Sequence, residues 1–166
     1  MVYFTSDLHI GHRSICKYRT RFKSAEEHHQ YMLDKISELS KRDLLYIIGD
    51  FLFNSVDYPK HIEQLKRMPC RIKLVMGNHD SLKLYKELRF EMQLPLFSYK
   101  NKWISHAPIH PLELRERMGN IHGHLHGNNI PDGRYFNVNI ENNQYEFVSL
   151  DTIKEYFTEN YEKEIK

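Results

Sequence analysis

Five short turns in this chain each follow an apolar run and each carry oxygen or imidazole donors: Asp7 with His9, Asp50, Asn78 with His79, His106, and His124 with His126. Carboxylates and imidazoles are metal-ligand groups, and imidazole is also the proton carrier that works near neutral pH. Any one of these residues alone reads most simply as a turn or cap residue, or as a satisfied histidine. Together they favour a site, because five of the seven glycines (Gly11, Gly49, Gly77, Gly123, Gly127) lie in or beside the same turns, where backbone must bend sharply or approach a ligand closely. Eleven histidines in 166 residues are in excess of background. No Ser-His-Asp or Cys-His arrangement stands out. Cys16 and Cys70 read as packed thiols of a reduced, cytoplasmic protein, since two cysteines can build neither a disulfide framework nor a Cys-rich zinc site.

The elements that must position these turns alternate. Val2–Ser6, Leu44–Ile48 and Arg71–Met76 are apolar runs of strand length, each closed by a polar turn. Ser24 with Glu27 forms a capping box that opens a helix running to Ser40, and a second helix is expected over Tyr58–Arg67. In the second half, Leu96–Tyr99 and Lys102–Ser105 read as short strands joined around Asn101, Pro111–Met118 as a short helix, and Asn120–His122 as a brief strand. Arg134–Ile140 and Gln144–Leu150 alternate as a hairpin across Glu141-Asn142-Asn143. Asp151–Glu164 reads as a surface helix with Ile153, Tyr156 and Phe157 inward. Periodicity alone supports an α/β chain with a late β segment. Ligands in open α/β sheets gather beyond the carboxyl ends of strands, so the turns should converge.

Asp7-Leu8-His9, Gly49-Asp50, Gly77-Asn78-His79-Asp80, Ser105-His106 and Gly123-His124-Leu125-His126 occur in the order of the calcineurin-like metallophosphoesterases, which this sequence resembles. Gly11-His12-Arg13 and Val148-Ser149-Leu150-Asp151 extend the likeness to small single-domain bacterial and phage members. The resemblance implies two mixed β-sheets packed as a sandwich flanked by helices. It also implies that Asp7, His9 and His126 bind one divalent ion, that Asn78, His106 and His124 bind a second, and that Asp50 bridges them. The donor types suit Mn foremost, with Fe, Zn or Ni as alternatives. Gly123 and Gly127 are expected to supply the turn that carries His124 and His126.

A paired site of this kind activates a water that lies between the two ions and neutralises the leaving group, so no side-chain nucleophile is needed. The resemblance gives His79 the place beside the phosphate, as acid and transition-state stabiliser. Asp80 either orients that imidazole or caps the segment beginning at Ser81. His12, Arg13 and Asn54 are candidates to bind substrate along with Asn78 and His79. The segment 9–24 holds Arg13, Lys17, Arg19, Arg21 and Lys23 with Tyr18 and Phe22 interleaved and no acidic residue. It reads either as a phosphate-and-base binding stretch or as a solvated loop. His28, His29 and His61 are expected at the surface, and His110 and His122 as satisfied structural residues.

Length and composition fit one domain over residues 1–166, with enough apolar residues for a core. The formal charge of +2 gives no long-range attraction for polyanions, and no leader or membrane segment is apparent. The expected function is hydrolysis of a phosphodiester or phosphomonoester in a nucleotide or other small phosphorylated molecule. A nuclease or RNA end-processing role is the alternative. A non-catalytic scaffold fits poorly, because all seven implied ligands and His79 are present.

Overall fold

The computed structural model describes residues 1–53, 58–88 and 90–164. In chain order the elements are β1 (Val2–Thr5), α1 (Ala25–Ser37), β2 (Leu44–Ile48), α2 (Tyr58–Leu65), β3 (Arg71–Val75), α3 (Leu82–Leu88), β4 (Glu91–Met92), β5 (Leu96–Tyr99), β6 (Lys102–Ser105), β7 (Gly119–His122), β8 (Tyr135–Asn137), β9 (Val148–Ser149) and α4 (Leu150–Glu164). Two mixed sheets result, one ordered β4-β3-β2-β1-β9 and the other β5-β6-β7-β8. In the first sheet β9 runs antiparallel to its neighbour β1, and in the second β5 runs antiparallel to β6. The remaining pairs are parallel.

Two-residue periodicity divides the core. Leu45, Ile47, Ile72 and Leu74 turn to one face of the first sheet and pack with Met32, Leu33 and Ile36 of α1 and Leu65 and Tyr85. Phe4, Tyr46, Ile48 and Val75 turn to the other face and meet Ile104 and Ile121 of the second sheet, with Ile153 and Phe157 of α4 closing the layer. β2 therefore reads as a continuous apolar run, as expected of a strand buried on both faces, whereas β3 keeps Arg71 and Lys73 toward its open end.

Three expectations need correction. The segments 134–140 and 144–150 do not pair as a hairpin: β8 joins β7 in the second sheet, whereas β9 joins β1 in the first. Between them the Asn143 amide donates to the carbonyls of Asn137 and Asn139, so a side chain satisfies groups that a ladder would otherwise take. The segment 111–118 forms only a 3-10 turn, Pro111–Glu113, capped by the ring of His110. Arg115 then takes a left-handed φ of 51° and stops it.

His28, His29 and His61 are buried rather than exposed. Arg19 explains this for His28, being buried too with its Nη1 2.7 Å from His28 Nε2, and the ring of His29 lies between those of His28 and His61. Ser24 accepts from the Glu27 N–H as the capping box requires, but Glu27 returns its bond to the N–H of Lys23.

Candidate metal centre

The chain leaves β1 and β2 side by side and keeps pairing past their ends. Asp7 N–H donates to Gly49 O at 3.0 Å, His9 N–H to Asp50 O at 2.9 Å and Ile10 N–H to Phe51 O at 3.0 Å. Asp7, His9 and Asp50 sit on this extension with left-handed backbone, at φ 58°, 49° and 51°. His124 and His126 share it at 68° and 49°, a conformation that Asp and His tolerate better than most residues. Five implied ligands in such backbone mark strain concentrated at one place. The expectation that Gly127 makes the second histidine turn is not met: a side chain there would meet open space, and the two histidines make the turn themselves. Gly49 is a glycine the site needs, because it has φ 80° and a Cβ on it would lie 2.2 Å from His106 Nδ1. Gly77 and Gly123 are needed as well, since a Cβ there would lie 2.1 Å from Asp50 Oδ1 and 2.6 Å from Asp7 Oδ2.

These loops bring together two groups whose donor atoms lie within 4.8 Å of one another, Asp7 with His9 and His126, and Asp50 with His106 and His124. Asp50 Oδ2 stands between them, 3.9 Å from His9 Nε2 and 3.4 Å from His106 Nε2. Asn78 joins the second group, its Oδ1 3.1 Å from His106 Nε2. His106 Nδ1–H donates to Ile48 O at 2.9 Å, so in neutral imidazole Nε2 presents a lone pair to the oxygens of Asp50 and Asn78. Only a cation, a proton or a metal, satisfies three acceptors converging in this way.

A proton can take that role. Burial pulls the His106 pKa down, but the hydrogen bond and charge of Asp50, with the charge of Asp7, outweigh it and raise it to about 9. Burial likewise pushes Asp50 up, and the His106 hydrogen bond and charge overcome it and hold the carboxyl at about 2. His9 has no such partner, and burial followed by the charge of Arg19 lowers it to about 3. Asp7 Oδ1 and both ring nitrogens of His9 are buried with no hydrogen-bond partner, and a divalent cation would satisfy the two that face each other, Asp7 Oδ1 and His9 Nε2, 4.0 Å apart. The donor set and these orphaned atoms fit a divalent ion.

His79 is exposed at the rim, its N–H donating to Asp50 Oδ1 at 2.9 Å and its ring centroid 5.4 Å from that of His9. Asp80 does not hold its ring, nor does it cap α3. The Asp80 carboxylate accepts instead from the N–H groups of Gly77, Asp50 and Phe51 at 2.7, 2.8 and 3.0 Å, and from the hydroxyl of Tyr85. It ties the second and third turns to each other, and burial raises its pKa.

A cavity of about 480 Å³ opens beside the donors, lined by His9, His12, Ile15, Tyr18, Phe53, His79, His126 and Glu141. His12 is among the residues lining it. Arg13 is exposed and outside that lining, and Asn54 lies outside the described residues. Within the basic stretch Arg19 points inward and Arg21 stacks on Phe22, Tyr31 and Tyr145, while Arg13, Lys17 and Lys23 are exposed. Sequence reasoning missed Phe53 and Glu141, and counted Arg19 only as a basic residue. Nothing in their local sequence marks them.

The calcineurin-like phosphoesterase profile matches residues 1–163. The chain belongs to that family. An uncharacterized protein of Methanocaldococcus jannaschii is 28% identical over 163 residues, covering 92% of this chain and 88% of the relative. A probable cyclic nucleotide phosphodiesterase of Coxiella burnetii is 28% identical over 85 residues, 50% of this chain and 33% of that protein's length. The crystal structure of a protein of unknown function from Aquifex aeolicus superposes with a TM-score of 0.71 at 29% identity, covering 93% of this chain and 98% of that one. Membership of the calcineurin-like phosphoesterases implies divalent metal ions, and the two donor groups are the residues that could hold them. No helix among the described residues is long and apolar enough to cross a membrane.

Proposed function

We propose that this calcineurin-like phosphoesterase hydrolyses a phosphodiester or phosphomonoester of a small molecule at a dinuclear centre. Asp7, His9 and His126 would hold one divalent ion, Asn78, His106 and His124 the other, and Asp50 both. Such ions supply Lewis acidity toward phosphate oxygens and lower the pKa of water. The single observation that carries the reading is the convergence of unpartnered donors, Asp7 Oδ1 and His9 Nε2, beside the Asp50–His106–Asn78 cluster. Manganese suits this mixed oxygen and nitrogen set, as do iron, zinc and nickel.

His79 is the residue of the chain placed to move a proton. Its backbone is fixed on Asp50 and its ring lies on the open rim of the cavity, where an imidazolium can donate to the departing oxygen. Substituent recognition falls to the aromatic wall. The Phe53 ring centroid is 5.2 Å from that of His79 and 4.2 Å from that of His12, and Tyr18 stands 74% exposed at the edge. No Lys or Arg lines the cavity among the described residues. A second phosphate would find no guanidinium or ammonium among the described lining residues, whereas a flat neutral group such as a nucleobase or aryl ring can stack. The name of the Coxiella burnetii relative accords with a nucleotide diester.

The test is a turnover screen of aryl phosphodiesters, cyclic nucleotides, nucleoside monophosphates and oligonucleotides with Mn²⁺, Ni²⁺ or Zn²⁺, run beside a metal-binding measurement. Metal-dependent cleavage of a small ester is expected. Binding of no divalent ion, together with no turnover of any substrate, rejects the reading, and preference for oligonucleotides rejects its small-molecule part.

A further inference from the structure

Behind the metal centre lies a cation that none of the proposed chemistry uses. Arg19 is 2% exposed and fills four of its five N–H positions with protein acceptors. Nε–H donates to Glu141 Oε1 at 2.7 Å and Nη2–H to Asp7 O at 2.6 Å, while Nη1 serves Leu8 O at 3.2 Å and His28 Nε2 at 2.7 Å. Two of these acceptors are the carbonyls between Asp7 and His9, the segment held in left-handed backbone. A third, Glu141 Oε1, accepts from His126 Nδ1–H at 3.3 Å. Asp7, His9 and His126 are the three members of one donor group. No hydrogen bond of Arg19 reaches Asp50, Asn78, His106 or His124.

The guanidinium is itself fixed from the rear. A permanently protonated arginine can only donate to His28 Nε2, so His28 must carry its proton on Nδ1 and pass it toward His29 Nδ1, 3.0 Å away. The N–H of Gly11, in the loop that follows His9, also reaches His29 Nδ1, at 3.4 Å. The buried histidines of α1 thus serve as acceptors that hold one planar fork in one orientation. A lysine, with a point charge and three donors, could not span four acceptors in fixed directions.

We propose that Arg19 is the positioning residue of the Asp7–His9–His126 metal site, acting on His126 through Glu141 and leaving the Asp50–His106–His124 site to be held by other means. The inference rests on the dinuclear reading above. By accepting from Nδ1–H, Glu141 fixes the His126 tautomer that leaves Nε2 for the metal, and Arg19 sets the place of Glu141. Outer-shell partners of this type are worth about 10–100-fold in metal affinity.

The experiment is calorimetric titration of Mn²⁺ into metal-stripped full chain, for wild type, Glu141→Gln, Arg19→Gln, His126→Ala and the Glu141→Gln/His126→Ala double variant. Two binding events are expected in the wild type. Glu141→Gln should weaken one by about 10–100-fold and leave the other in place, and Arg19→Gln should abolish the same one. In the His126→Ala background Glu141→Gln should have no further effect, because the residue it acts through is gone. Equal weakening of both events, no weakening, or additive losses in the double variant overturns the inference. Should Arg19→Gln not fold, the partly exposed Glu141 carries the test alone. Absence of any binding by the wild type rejects the dinuclear reading itself, which is a distinct result.

Discussion

The carboxylate of Asp80 accepts a hydrogen bond from the backbone N–H of Asp50 at 2.8 Å. This bond, with those from Gly77 and Phe51, makes Asp80 a staple between the turn that ends β2 and the turn that ends β3. Charge-assisted bonds contribute about 1.5–3 kcal/mol each and leave costly orphans when broken. Asp80→Asn turns one accepting oxygen into an NH₂ facing N–H donors, so a loss of about 2–4 kcal/mol in urea unfolding is expected on that basis. The metal affinity of the Asp50 group should fall with it. Unchanged stability and affinity would show that the staple is dispensable.

Asp50 and His79 should separate binding from proton transfer. Asp50 touches both donor groups, so Asp50→Ala should lose both metal equivalents, by elemental analysis, together with activity. His79 touches Asp50 only through its backbone, so His79→Ala should keep the metals. Its turnover of an ester with a poor leaving group should drop by about 10²–10⁴, while an aryl ester with a good leaving group should suffer less. Full rate on the poor leaving group would remove the acid role from His79.

The site was more legible in the sequence than the frame behind it. Strand-end turns were readable because an apolar run followed by Asp, Asn or His is a local signal, and the structure brings all seven residues to one end of the two sheets. The late hairpin failed because alternation tells a strand's faces and not its partner, and β8 and β9 chose different sheets. The buried state of His28 was invisible because it depends on Arg19, a residue from another segment whose own burial rests on backbone carbonyls, and that of His29 and His61 because their rings pack in turn behind His28. Asp80 escaped for the same reason, since its donors belong to turns about 30 residues upstream as well as to its own.

Acid should destabilise the metal-free protein well above the carboxylate range. Burial and the adjacent Arg19 charge lower the His28 pKa from 6.5 to about 2. Below pH 6.5 the unfolded chain therefore binds a proton that the native one refuses. Stability then rises with pH across this range and falls as the pH drops. One such histidine gives a slope of about 1.4 kcal/mol per pH unit. His106, raised to about 9, contributes in a different window, since its stabilisation is complete below pH 6.5 and is lost as the pH rises through 9. Urea midpoints of chelator-treated protein between pH 6.5 and 5 should decline accordingly, and His28→Gln should make the decline shallower, with His9, lowered to about 3, supplying the remainder. A level profile over that interval would contradict the neutral, buried state of the histidine.

Tyr18 and Phe53 should set affinity for the substituent and leave the phosphate chemistry alone. Neither belongs to a donor group, and both line the cavity beside His79. Stacking of one base on an aromatic side chain is worth about 1–3 kcal/mol, or roughly 5–150-fold in binding. Tyr18→Ala, which removes an exposed ring, should raise KM toward the low end of that range for a nucleotide or aryl ester, and Phe53→Ala, whose ring meets His9, His12 and His79, should raise it more. For an alkyl phosphate ester of the same charge, KM and kcat should stay close to wild type in Tyr18→Ala. An equal loss on aryl and alkyl esters would mean that the aromatic wall holds the loop in shape and does not recognise the substituent.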